Sequence, residues 1–136
     1  MKAYTDINQS KKLAEILPLD SADIILILKE NSELTSYPII RNYSEFYNYL
    51  RKFGLEEKLI KHMYIPAWSL AALFNIIPKK IKDFNVLRID ISENDFAIWY
   101  DEIGYGVNTE LPDITMESAI DACVEMIEKL HELKML

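Results

Sequence analysis

Apolar positions change period along this chain, and the changes mark out its elements. Thr5 or Asp6 can cap a first helix that carries Ile7, Leu13, Ala14 and Leu17 on one face and closes at Pro18. Ser21-Ala22-Asp23 leads into Ile24-Ile25-Leu26-Ile27-Leu28, an unbroken apolar run rich in β-branched residues that predicts a buried strand. Asn31 to Pro38 reads as a loop. Ser44 is placed to cap a helix with Phe46, Tyr47, Leu50 and Phe53 inward, and Gly54 suits the position just after its end. Leu55 to Met63 predicts a second short helix with Leu55, Leu59 and Met63 in register. Ile65 should be extended because it precedes Pro66, and Pro66 fits the first turn of a helix over Ala67–Ile77 that Pro78 ends. That helix is apolar nearly all round, so it is expected at the centre of the core or in a subunit interface.

Beyond Lys79-Lys80-Ile81-Lys82 the period falls to two. Leu87, Ile89 and Ile91 alternate with Arg88 and Asp90, Ser92-Glu93-Asn94-Asp95 is turn chemistry, and Phe96, Ile98 and Tyr100 alternate with Ala97, Trp99 and Asp101. This is a β-hairpin. Tyr105 to Glu110 can add a third antiparallel strand, with Gly104 and Gly106 permitting a turn or bulge. Thr115 is placed to cap a long C-terminal helix in which Met116, Ile120, Cys123, Ile127 and Leu130 form an apolar stripe widened by Ala119, Val124 and Met126. The predicted class is α+β. A small antiparallel sheet, a hairpin or three-stranded meander, packs on the C-terminal helix and the central helix, and an N-terminal helical part completes a single domain over residues 1–136.

Composition adds little until charge is followed along the chain. Half the residues are apolar and 27% are charged, as in ordinary globular proteins. Residues 1–88 hold 13 Lys/Arg against 10 Asp/Glu, whereas residues 89–136 hold 2 against 12. The last third therefore carries a net −10 and more than accounts for the overall −7. A concentrated field of one sign bears on partner choice and encounter rate. On the C-terminal helix, Glu117, Asp121, Glu125, Glu128 and Glu132 fall within about 80° of one another on the helical wheel. Carboxylates about 5–6 Å apart along one helix repel mildly, and Lys129 is the i,i+4 partner of Glu125. Such a stripe can imitate the phosphate spacing of nucleic acid, and it can equally dock on a Lys/Arg-rich protein surface. Its plainer reading is a solvated face whose repulsion the packed side outweighs.

Other chemistry is sparse. Glu128-Lys129-Leu130-His131 has the Glu-x-x-His spacing of di-iron bundles, but those need the motif twice. His62 and His131 stand in no catalytic pattern, and Ser69 lacks the glycines of a nucleophile elbow. Cys123 lies on the apolar stripe, which suits a packed thiol better than a nucleophile. Gly104-Tyr105-Gly106 is followed by no helix, as a phosphate loop would require, and Lys79-Lys80-x-Lys82 is too short to claim nucleic acid. Tyr37, Tyr43, Tyr47, Tyr49 and Tyr64 read as a half-buried wall, with an interface as the other reading. No catalytic, cofactor or metal residue is assigned. The start carries no apolar signal segment, and the nearly apolar run from Ile65 to Ile77 is 13 residues, short of a membrane span. With one cysteine, the expectation is a cytoplasmic protein with neither membrane nor direct nucleic-acid contact.

Three stretches taken together are similar to one group of proteins. They are Ser10-Lys11-Lys12-Leu13-Ala14-Glu15-Ile16-Leu17 with Ser21-Ala22-Asp23, then Ile65-Pro66-Ala67-Trp68-Ser69-Leu70-Ala71-Ala72-Leu73 up to Pro78, then Ala119 to Leu130. The chain resembles small proteins of prophages and mobile elements in Bacteroides-type gut bacteria. That group has no established activity, so the resemblance implies an origin and neither a mechanism nor site residues. The expected function is a non-enzymatic interaction module that meets a basic surface through its acidic helix face. The alternative is a small enzyme with a carboxylate site that one sequence does not reveal. A symmetric homodimer through Ala67–Ile77 is expected if a face of that helix is exposed.

Overall fold

The computed structural model describes residues 2–29, 33–35 and 37–136. The chain divides into two compact units, Tyr4–Ala72 and Leu73–Leu136, the latter including Met1–Ala3. The α+β class is as the pattern predicts, with antiparallel sheets throughout.

In the first unit, helix α1 (Ile7–Ile16) starts at Asp6. The Asp6 carboxylate accepts the Gln9 N–H at 2.8 Å while Gln9 Oε1 accepts the Asp6 N–H at 3.1 Å, filling two groups that a helix start leaves open. Strand β1 (Ile24–Ile27) runs between β2 (Ile39–Ile40) and β3 (Tyr64–Ala67), both antiparallel to it. Ile24, Leu26, Leu28, Ile65 and Ala67 form one buried cluster against which Tyr4 and Ile7 pack. The loop expected over Asn31–Pro38 lies outside the described residues at Asn31, Ser32 and Ser36. Within it, Leu34 bridges Leu28 and the Thr35 N–H donates to the Ile27 carbonyl at 2.9 Å.

Helix α2 (Tyr43–Lys52) is capped by Asn42 rather than Ser44, its Oδ1 accepting the Glu45 N–H at 3.0 Å. Asn42 wins because its Nδ2 also donates to the Asp20 carbonyl at 2.7 Å, anchoring the helix start. Phe46 is buried as expected, and Tyr43, the first helical residue, is buried with it. Phe53, expected inside, follows the last helical residue and is 68% exposed, and Gly54 turns the chain at φ +86. Helix α3 (Glu57–Met63) likewise buries Ile60 and leaves Leu59 outside, against the expected register.

The largest correction concerns Pro66. It lies within β3, opposite Ile25, and the helix expected from Ala67 begins only at Leu70 (α4, Leu70–Ile76). The Leu28 N–H donates to the carbonyl of Met63, the last residue of α3, which sets the ladder so that the backbone groups of Ile65 and Ala67 in β3 face β1. Pro66 then directs its hydrogen-free nitrogen away from β1, where no ladder bond is lost. Trp68 follows, fully buried, its backbone N–H on Thr5 Oγ1 at 3.1 Å and its indole N–H on Ser21 Oγ at 2.9 Å. Ser69 then caps α4, accepting the Ala72 N–H at 3.2 Å. Its own N–H donates to one Asp23 carboxylate oxygen at 2.8 Å and its hydroxyl to the other.

The second unit is built on the hairpin. Strand β4 (Lys80–Ile81) pairs with the start of β5 (Asn85–Ile91), and β5 pairs along its whole length with β6 (Phe96–Glu102). β6 also pairs with β7 (Gly106–Val107) and with β8 (Ile114–Met116). The expected third strand over Tyr105–Glu110 is thus only Gly106–Val107, and Ile114–Met116 supplies another. Helix α5 (Ala119–Glu132) packs on β6 and β8. Its cap is Ser118, which accepts the Asp121 N–H at 3.2 Å, and not Thr115. The reason is local: Ile114 is buried, Thr115 exposed and Met116 half-buried, the alternation of a strand.

Candidate functional site

Helix α5 is covered on most of its circumference. Ile120, Ala122, Cys123, Val124, Met126, Ile127 and Leu130 are all buried, a wider arc than the stripe read from the sequence. What faces outward is narrow and mostly acidic: Asp121, Glu125 and Glu128 half-buried, Lys129, His131 and Glu132 exposed. Four of the five predicted carboxylates therefore share the helix. Glu117 does not; it is exposed in the turn between β8 and the Ser118 cap.

The acids are partly neutralised by their surroundings. Lys2 Nζ lies 2.6 Å from Asp121 Oδ1, and Lys129 Nζ lies 3.2 Å from Glu125 Oε1 across one helical turn. Both pairs remain open to water, so each is a weak bond that another cation can compete for. Asp121 also sits in the first turn of α5, where the positive end of the helix dipole favours it.

The other candidates resolve into structural roles. Burial pushes the Cys123 thiol up to about 12, opposed in part by the positive charge of Lys79, so it remains a neutral packed group. Ser69 is a helix cap held by Asp23. Lys79 Nζ donates to the Phe74 and Ile77 carbonyls at the end of α4, which accounts for one lysine of the Lys79-Lys80-x-Lys82 run. His62 and His131 are both exposed. Among the described residues, no group of three or more His, Cys, Asp or Glu side chains comes together as a metal site would require, and no helix is long and apolar enough to cross a membrane.

The tyrosines divide. Tyr43 is buried and donates its hydroxyl to the Tyr64 carbonyl at 2.8 Å; Tyr47 and Tyr64 are half-buried, as a wall would be. Tyr37 and Tyr49 are exposed, and Arg41 lies 5.3 Å over the Tyr49 ring. The sequence reading missed one surface altogether: Ile89 and Ile91, grouped by alternation with Leu87 on one face of the hairpin, are 41% and 74% exposed. Alternation shows which face a side chain shares, not how far the covering helix reaches.

No protein-family model, no curated protein and no solved structure matches this chain.

Proposed function

We propose that the chain is a non-enzymatic interaction module whose acidic α5 face docks on a basic protein surface. One observation carries this reading: the solvent-facing strip of an otherwise buried helix holds Asp121, Glu125, Glu128 and Glu132 in line. Like charges at this spacing cost a few tenths of a kcal/mol per pair, a cost that binding a cationic surface reverses. The net −10 of residues 89–136 extends the same field and speeds encounter with a cationic partner. The resemblance to mobile-element proteins gives the module its setting, an accessory that engages another protein rather than transforming a metabolite.

The test is capture of partners on the immobilised protein, read by mass spectrometry and repeated across salt concentrations. The reading expects a basic protein whose retention falls steeply as ions screen the contact, the screening length being about 8 Å at physiological strength. Capture of acidic or neutral proteins alone, indifferent to salt, contradicts it.

A further inference from the structure

Strand β5 is paired along all seven residues with β6, but β4 covers its other side only at Asn85 and Val86. One further bond, from the Leu87 N–H to the Lys79 carbonyl at 2.9 Å, ends that coverage. Backbone groups of a strand alternate sides, so Leu87 fixes the parity of the rest. The Ile89 N–H and carbonyl and the Ile91 N–H point away from β6, and no strand among the described residues pairs with them. The even-numbered residues face β6, in keeping with the Ser92 N–H donating to the Asp95 carbonyl.

Side chains add to this open edge. Leu87, Ile89 and Ile91 lie opposite Tyr100, Ile98 and Phe96 and share their face. Helix α5 packs over β6 and β8, so the β6 residues are buried while Ile89 and Ile91 are left exposed. Beside them lies a depression of about 470 Å³ lined by Phe74, Lys79, Lys80, Val86, Leu87 and Ile89. An apolar socket next to unpaired backbone is the arrangement by which proteins accept an added strand.

We propose that the β5 edge from Arg88 to Ile91 takes up an extended segment of a partner protein. That segment carries alternating large apolar side chains and a carboxylate at the end nearest Lys80. Ladder bonds to Ile89 and Ile91 hold its backbone, the depression takes one apolar side chain, and Lys80 at the rim selects the acid. Charge complementarity sets the chemistry of the occupant, since the polar side chains around the socket are Lys79 and Lys80. A second copy fits poorly. Antiparallel self-pairing centred on Ile89 drives the copy's Ile91 onto Lys79, which already occupies the edge at Leu87. Centring on Asp90 opposes two aspartates. This surface is separate from the acidic face of α5 and stands or falls without it.

The test uses linear peptides of about ten residues, long enough for one strand, selected from a displayed library on the whole protein. Enriched sequences are expected to show acid beside alternating apolar residues. In the free protein the Ile89 and Ile91 amides should exchange quickly while Arg88 and Asp90 are protected, and bound peptide should slow the Ile89 and Ile91 amides. Ile91→Lys and Lys80→Glu, both at exposed positions, should each weaken binding by about tenfold or more without moving the unfolding midpoint. Changing the α5 carboxylates should leave peptide affinity unaltered. The proposal is overturned by no enrichment, by peptides indifferent to both variants, or by slow Ile89 and Ile91 amides in the free protein. Protection of those amides that grows with protein concentration also overturns it, because the occupant is then a second copy.

Discussion

Lys2 Nζ sits 2.6 Å from the Asp121 carboxylate, so the acidic face of α5 has a cation of its own chain at its first turn. Both side chains keep about a third of their exposure, which limits what the bond contributes. A double-mutant cycle with Lys2→Ala and Asp121→Asn is expected to give a coupling below about 1 kcal/mol that shrinks with added salt. A coupling of several kcal/mol would make Asp121 a structural residue and remove it from the docking face.

Leu130 is fully buried in α5 beside Met126 and Ile127. Leu130→Ala should cost about 2–5 kcal/mol, the transfer term plus the cavity left behind. Denaturant unfolding measures this, and a loss under about 1 kcal/mol would move Leu130 to the surface.

Cys123 and Tyr43 make stability depend on alkaline pH. Burial raises the Cys123 thiol from 9.0 to about 12 and, helped by nearby Tyr47, the Tyr43 hydroxyl from 10.0 to about 12. Both folded values exceed the unfolded ones, so above pH 9 the unfolded chain loses protons first. Stability from these groups is intact below about pH 9 and is lost as pH rises towards about 12. Cys123→Ala should flatten the early part of that decline. In the native protein a bulky disulfide reagent should label Cys123 only on unfolding, and rapid labelling would mean that the helix face is wrongly placed.

Trp68 and Trp99 give separate optical reports. Trp68 is fully buried with its indole N–H on Ser21, whereas Trp99 is half-buried and donates to Asp101 at 2.8 Å. A Trp99→Phe variant should therefore retain blue-shifted emission. Ser21→Ala should destabilise the fold by about 1–3 kcal/mol, because it leaves the indole N–H buried without a partner. Emission at the wavelength of free tryptophan in Trp99→Phe would refute this placement of Trp68.

Periodicity made the hairpin legible because Leu87 to Tyr100 alternates cleanly about a four-residue turn. The strand within Ile24–Leu28 was legible because three of those five apolar residues are β-branched, which favours a strand over a helix turn. Pro66 misled, since proline favours a helix start equally with the outer side of an edge strand, and pairing with β1 decides between them only in three dimensions. Thr115 misled because a hydroxyl ahead of an apolar stripe suits either the end of a strand or a cap, and Ser118 lies three residues on. The acidic stripe was legible at four positions and failed at Glu117 for that same reason. The β5 ledge was hidden because its exposure depends on where α5 ends its cover, which no local pattern encodes.

The most direct test of the acidic face is the salt-dependent affinity of a captured basic partner for the protein with Asp121→Asn, Glu125→Gln and Glu128→Gln combined. The fold should survive with stability changed by less than about 1 kcal/mol, since relief of neighbouring like charges offsets the loss of the weak pairs with Lys2 and Lys129. Association should slow and affinity should fall by about tenfold or more, with a flatter dependence on salt than in the wild type. Unchanged affinity and salt dependence in a folded triple variant, or a marked loss of stability showing that these carboxylates are tied to the chain's own cations, would contradict the account.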